Sequence, residues 1–102
     1  VKGNEQAGFR PALILSINEL NDSPQNLVYA VPLTTKYRKI RTRIHIKAGE
    51  GGLSEDSYII CEKMRSISHE RLQNKRGAVT ALTMDAVERA IGIILGIIKA
   101  PT

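Results

Sequence analysis

Arginine, threonine and carboxylate side chains recur at points where the chain enters or leaves apolar runs. Arg10 immediately precedes Pro11 at the mouth of the run Pro11–Ile17, and Thr34 with Thr35 closes the run Leu27–Leu33. A guanidinium stays protonated and offers a planar fork that suits phosphate oxygens. A threonine hydroxyl at a strand end can donate to the same group. Glu62 lies at the end of another apolar run, with Arg65 three residues on. Between Lys36 and Lys47 stand six cations (Lys36, Arg38, Lys39, Arg41, Arg43 and Lys47) and no acid. That stretch is long enough to follow several phosphates, and Tyr37 within it can stack on a base. Taken alone, each of these residues is an ordinary polar surface group, and the basic run could equally be a solvated edge that blocks strand-to-strand association.

Other chemistries have little to build on. His45 and His69 are the only imidazoles, and His45 alternates with basic residues as an exposed polar-face side chain would. Cys61 is the single cysteine, which excludes an internal disulfide. Between Ile60 and Glu62 in an apolar run it reads as a buried, inert thiol. One cysteine and two histidines make no familiar zinc site. No phosphate-cradling Gly-Lys-Ser/Thr loop, His-Glu-x-x-His or Gly-x-Ser-x-Gly elbow occurs. The chain has 102 residues, 42% of them hydrophobic and 25% charged, which fits one packed domain and excludes wholesale disorder. Fifteen Lys and Arg against ten Asp and Glu leave a net charge of +5, which favours an anionic partner, nucleic acid ahead of lipid. The longest apolar stretch, 90–98, is broken by Gly92 and Gly96. It falls well short of the ~20 residues that span a bilayer. With no secretory pattern at its start, the chain is expected to act in the cytoplasm, away from membranes.

These side chains need elements to position them. Strands are expected over 11–17, 27–33 (with Pro32 at its end or on an edge), 40–47, 57–63 and, briefly, 77–80. In 40–47, Ile40, Thr42, Ile44 and Ile46 alternate with Arg41, Arg43, His45 and Lys47, so one face should be core and the other a basic wall. The Asn-, Ser- and Pro-rich segment 18–26 should be a loop with one helical turn, the glycine-rich 48–52 a mobile loop, and 65–76 a turn of helix and a loop. A last helix should start at an N-cap Thr83 with Asp85 in its first turn and end at Pro101. Its apolar stripe is Met84, Val87, Ile91, Ile94, Leu95 and Ile98, while Ile93 and Ile97 lie off it. The surplus apolar surface would be covered by a second chain, giving a homodimer.

The order of the chemical residues is also informative. Residues 3–15, Gly-Asn-Glu-Gln-Ala-Gly-Phe-Arg-Pro-Ala-Leu-Ile-Leu, resemble the G-x-E-Q-x-G-x-R-P-hydrophobic signature of the MazF/PemK toxin family. Val31-Pro32-Leu33-Thr34-Thr35 looks like its P-hydrophobic-T segment, and Glu62-Lys63-Met64-Arg65-Ser66-Ile67 with Arg71-Leu72 is similar to its R-[TS]-I block. The resemblance runs over nearly the whole chain and implies a single MazF/PemK-like domain over residues 1–102. The implied fold is mainly β with a C-terminal α-helix, an SH3-like (CcdB/MazF-type) β-barrel. The family's first strand has no counterpart in this chain, so the domain is expected to be truncated at its N-terminus. The resemblance further implies a homodimeric, sequence-specific endoribonuclease that cuts single-stranded RNA without metal or cofactor and is held inactive by a cognate antitoxin. Catalysis would fall to Arg10, Thr34 and Glu62, with Glu5 the other candidate base. RNA contacts would come from Asn4, Glu5, Gln6, Thr35, Lys36, Arg38, Lys39, Arg41, Arg43 and Arg65. In some relatives an arginine stands where Ile60 is, so that version of the site is not carried over. Two other readings are a non-catalytic CcdB-like inhibitor of DNA gyrase and a plain RNA-binding barrel. The first is disfavoured by the lack of tryptophan in a tail ending Lys99-Ala100-Pro101-Thr102.

Overall fold

The computed structural model describes residues 10–72 and 74–99. In chain order the elements are β1 (Ala12–Ile14), α1 (Asn18–Asn21), β2 (Leu27–Thr34), β3 (Arg43–Ile46), β4 (Ser57–Ile60), β5 (Arg65–Ser68) and α2 (Ala81–Ile94). The fold is mainly β with a C-terminal helix, as expected. The sheet is antiparallel, ordered β1-β2-β4-β3, and β5 also pairs with β2.

β2 is the organising strand. Its β-branched and apolar residues are buried on both faces: Val31 and Leu33 enter the larger core, Val28 and Ala30 a smaller one. β4 and β5 run along the same edge of β2, Tyr58 opposite Thr34 and Arg65 opposite Ala30. Four steps on β2 are thus matched by seven on its neighbour, and the excess is taken up by the 3-10 turn Cys61–Lys63. This explains Pro32, which lies inside β2 and not at its end. Leu33 donates its N–H to the Pro11 carbonyl on the β1 side at 3.2 Å. By strand alternation, the N–H that proline lacks would point to the opposite edge, where the ladder is already interrupted.

The larger core joins Leu13, Val31, Leu33, Ile46, Ile59 and Val87. Each such side chain contributes roughly 1.5–3 kcal/mol by leaving water. Several expectations are corrected here. The strand over 40–47 shortens to Arg43–Ile46; Ile46 is core, but Ile40 is 39% exposed. Residues 65–68 form a strand and not a helical turn, because they resume pairing with β2. No strand forms over 77–80, where the chain leads straight into α2.

The glycine-rich loop is folded, not open. Glu50–Gly52 makes a 3-10 turn, and a Cβ on Gly52 would lie 2.2 Å from the Arg76 carbonyl oxygen. Only glycine tolerates that approach together with φ +71°. From this turn Glu50 Oε2 accepts from the Thr80 N–H at 3.1 Å. Thr80, not Thr83, is the N-cap of α2: its Oγ1 accepts from the Thr83 N–H at 3.2 Å. Asp85 therefore lies beyond the first turn. At the other end Gly96, with φ +75°, stops the helix through Ile97 N–H to Gly92 O and Gly96 N–H to Ile93 O, a Schellman arrangement. Pro101 lies outside the described residues. The buried face of α2 is Val87 and Ala90 with Met84 and Ile91 beside them, whereas Ile94, Leu95 and Ile97 are exposed.

Candidate functional site

β1 and β2 bring the first two chemical residues together. Ala12 pairs with Pro32, and Pro11 with Leu33 through the Leu33 hydrogen bond; extending that register puts Arg10 across from Thr34. Arg10, Pro11, Thr34, Thr35, Lys36 and Ser57 line one open cleft of about 270 Å³. Arg10 is exposed, and among the described residues no carboxylate pairs with it. Thr34 Oγ1 accepts from the Lys36 N–H at 3.2 Å. That bond uses an oxygen lone pair, so the hydroxyl proton remains available to donate into the cleft. A permanent cation and a hydroxyl donor at one opening have the chemistry that suits a phosphate group.

Immediately beside it lies a second cleft of about 220 Å³, lined by Tyr37, Arg38, Lys39, Arg41, Arg43, His45 and Tyr58. The chain passes from one cleft to the other at Lys36–Tyr37 and again at Ser57–Tyr58. The Tyr58 ring packs edge-on to Tyr37, with centroids 5.4 Å apart. On β3 the His45 ring stacks against it at 5.1 Å with an interplanar angle of 23°. His45 Nε2 also lies 3.0 Å from Asp56 Oδ2. A hydrogen bond from the Ala48 amide, then the His45 ring, hold the Asp56 carboxyl below its ordinary value.

Glu62 is elsewhere engaged. It does not line the Arg10–Thr34 cleft. Thr42 Oγ1 donates to its Oε1 at 2.7 Å, and Arg43 Nε donates to its Oε2 at 3.0 Å. Burial of the carboxyl acts to raise its pKa. The Thr42 bond, its own backbone amide, and the Arg43 bond and charge outweigh that, and the net direction is downward. A carboxylate stabilised in its charged form is a weaker proton acceptor. Arg43, whose side chain is 10% exposed, is correspondingly withdrawn from the expected basic wall. Arg65 sits on β5 opposite Ala30, outside both clefts, and Asn4, Glu5 and Gln6 lie outside the described residues. Burial pushes the Cys61 thiol up to about 11, in keeping with an inert sulfur.

Tyr37 was legible in the sequence as a stacking residue within the cationic run, but its ring neighbours Tyr58 and His45 were not. Tyr58 sits in an apolar run and reads as core; only the register His45 opposite Tyr58 opposite Thr34 reveals its place. A third groove of about 450 Å³ runs between β3 and α2, with Thr42, Ile44, Ala90 and Ile93 in its walls and Arg41 and Arg89 alongside. Among the described residues no group of three or more His, Cys, Asp or Glu side chains is placed to hold a metal ion, and no helix is long and apolar enough to cross a membrane.

Comparison with known proteins converges on one family. The family model described as "PemK-like, MazF-like toxin of type II toxin-antitoxin system" matches residues 1–95. The chain is 34% identical over 100 residues to the endoribonuclease EndoA of Bacillus subtilis, covering 96% of this chain and 85% of that protein. It is also 34% identical over 98 residues to the endoribonuclease MazF of Staphylococcus saprophyticus, covering 95% and 82%. Among solved structures it is similar to the Mycobacterium tuberculosis toxin MazF-mt6, with TM-score 0.80 and 25% identity over 93% of this chain and 94% of that one. A mycobacterial endoribonuclease in complex with its cognate antitoxin superimposes with TM-score 0.79 and 25% identity, covering 97% and 92%.

Proposed function

The chain belongs to the PemK-like, MazF-like toxins of type II toxin–antitoxin systems, and from that premise we propose that it is an endoribonuclease cutting single-stranded RNA at short sequences without a metal ion. The observation that carries this reading is the shared cleft of Arg10 and Thr34. In the proposed reaction the 2′-OH beside the scissile phosphate attacks phosphorus in line. The 2′-oxygen–phosphorus bond forms as the bond to the 5′-oxygen breaks. The products are a 2′,3′-cyclic phosphate and a 5′-OH, the leaving oxygen taking a proton from water. Negative charge gathers on the non-bridging oxygens, where Arg10 and the Thr34 hydroxyl stabilise it; a charged donor such as Arg10 is worth about 3–4 kcal/mol and a neutral hydroxyl about 1.5 kcal/mol. Arg10 acts electrostatically, since a guanidinium with pKa above ~12 gives up its proton too reluctantly to serve as acid. The 2′-OH proton goes to Glu5 in this scheme. Of the two carboxylates suggested by sequence, Glu62 is held by Thr42 and Arg43 outside the cleft.

Thr35 and Lys36 extend the phosphate seat, and Arg38, Lys39 and Arg41 continue it into the neighbouring cleft. Unpaired RNA suits such a surface because its bases are free to splay into pockets. The family and the complexed relative support a cognate antitoxin as partner. The exposed Ile94, Leu95 and Ile97 at the end of α2 support a homodimer, and an RNA substrate supports the cytoplasm as the place of action. The decisive assay incubates the purified protein with a long unstructured transcript in EDTA and sequences the 5′-OH ends. Cutting at a shared short sequence is expected. Intact RNA, or cutting only after Mg²⁺ is added, overturns the proposal.

A further inference from the structure

We propose that Tyr37, Tyr58 and His45 form a base-stacking subsite that seats the nucleobase next to the scissile phosphate; this rests on the ribonuclease reading above. Three rings gathered on one open surface require an explanation, because Tyr37 is 66% exposed and an isolated surface ring gains little from burial. Tyr58 meets Tyr37 in a T-shaped contact at 5.4 Å, which can cover one face of the Tyr37 ring at most and leaves the other clear of Tyr58. His45 stacks on the Tyr58 ring and is tied in turn to Asp56. His45 and Tyr58 are thus positioning residues that fix the platform, and Tyr37 presents it.

Its location suits that task. Tyr58 is the direct cross-strand neighbour of Thr34, one strand spacing (about 4.8 Å) from the phosphate seat. Tyr37 is one residue past Lys36, which lines that seat. Arg38, Lys39 and Arg41 border the rings, so a strand led by its phosphates along the cations would bring a base over the Tyr37 face. Double-stranded RNA keeps its bases stacked internally and offers none to such a platform. A protein segment would satisfy the cations only if acidic and would gain nothing specific from a stacked ring face; single-stranded nucleic acid satisfies both.

Two uncleavable probes separate stacking from phosphate attraction: a mixed-sequence 2′-O-methyl RNA of ten nucleotides, and the same backbone made fully abasic. Replacing Tyr37 by alanine is expected to weaken the base-bearing strand about tenfold or more and to leave the abasic strand unchanged. Tyr37→Phe should retain wild-type binding to both. The loss on Tyr37→Ala should persist at high salt with an unaltered salt slope, whereas Arg38→Ala should flatten the slope by about 0.7. His45→Ala should weaken the base-bearing strand less than Tyr37→Ala, again sparing the abasic one. Equal effects of Tyr37→Ala on both strands, no effect on either, or no binding of the base-bearing strand by the wild-type protein would overturn the subsite. Because the probes cannot be cut, the result is independent of cleavage in EDTA, so a failed subsite and a failed ribonuclease assignment are told apart.

Discussion

Arg10 and Thr34 border an open cleft, whereas Thr42 and Arg43, the same two side-chain types, are clamped onto the Glu62 carboxylate. Each pair could hold a phosphate in isolation. The difference lies in what reaches it: at the second pair a 3-10 turn delivers a carboxylate, so the anion is built into the fold and the charges are neutralised internally. At the first pair, among the described residues, no carboxylate meets Arg10, and in the proposed function the anion is a phosphate of the RNA. Identical donors thus serve architecture in one place and, in the proposed function, recognition in the other, with the nearest acid deciding which.

Removing Arg10 tests this most severely. Arg10→Ala should lower the single-turnover cleavage rate by about 10²–10³-fold with the thermal midpoint unchanged, since an exposed guanidinium without an ion-pair partner among the described residues holds nothing together. A large loss of stability instead would place Arg10 in the architectural class.

Thr34→Val should cost less, about tenfold in the same rate, in line with loss of a neutral hydrogen bond. A rate equal to wild type would remove the hydroxyl from the mechanism and leave the guanidinium alone.

Glu62→Gln has the smallest expected effect on chemistry and acts on folding. It should destabilise the protein by about 1–2 kcal/mol, because an arginine whose side chain is mostly buried loses its charged acceptor, while cleavage at pH 7 stays within a few-fold of wild type. The sign with pH follows from the depressed carboxyl. Its stabilisation is complete above the ordinary value of 4.5 and fades as pH falls through the lower folded value. Urea midpoints of wild type and Glu62→Gln should therefore converge on acidification. A variant whose cleavage collapses while its stability holds would return Glu62 to the catalytic machinery and erase the contrast.

Much of the architecture was readable because it depends on local pattern. The run Leu27–Leu33 is apolar and β-branched wherever it is placed, and the spacing of Met84, Val87 and Ile91 is helical. The misreadings occurred where a distant segment settles the matter. Residues 65–68 look polar and loop-like, yet they pair with β2 because the turn at Cys61–Lys63 restores the register. The N-cap passed from Thr83 to Thr80 because Glu50, thirty residues away, fixes the Thr80 amide. Pro32 belongs inside a central strand only because the opposite ladder is broken there.

The site divides the same way. Sequence by itself determined the residue types: a guanidinium before a strand, hydroxyls after another, a cationic run without acids, and motifs specific enough to name a family. Tertiary structure alone decided which cations remain available, bringing Glu62 onto Arg43 and leaving Arg10 beside Thr34. It also assembled Tyr37, Tyr58 and His45 from three separate segments. Charge and polarity are properties of a residue and travel with it along the chain; whether a charge is satisfied, or a ring face open, depends on what stands a few ångströms away, and cross-strand register fixes that.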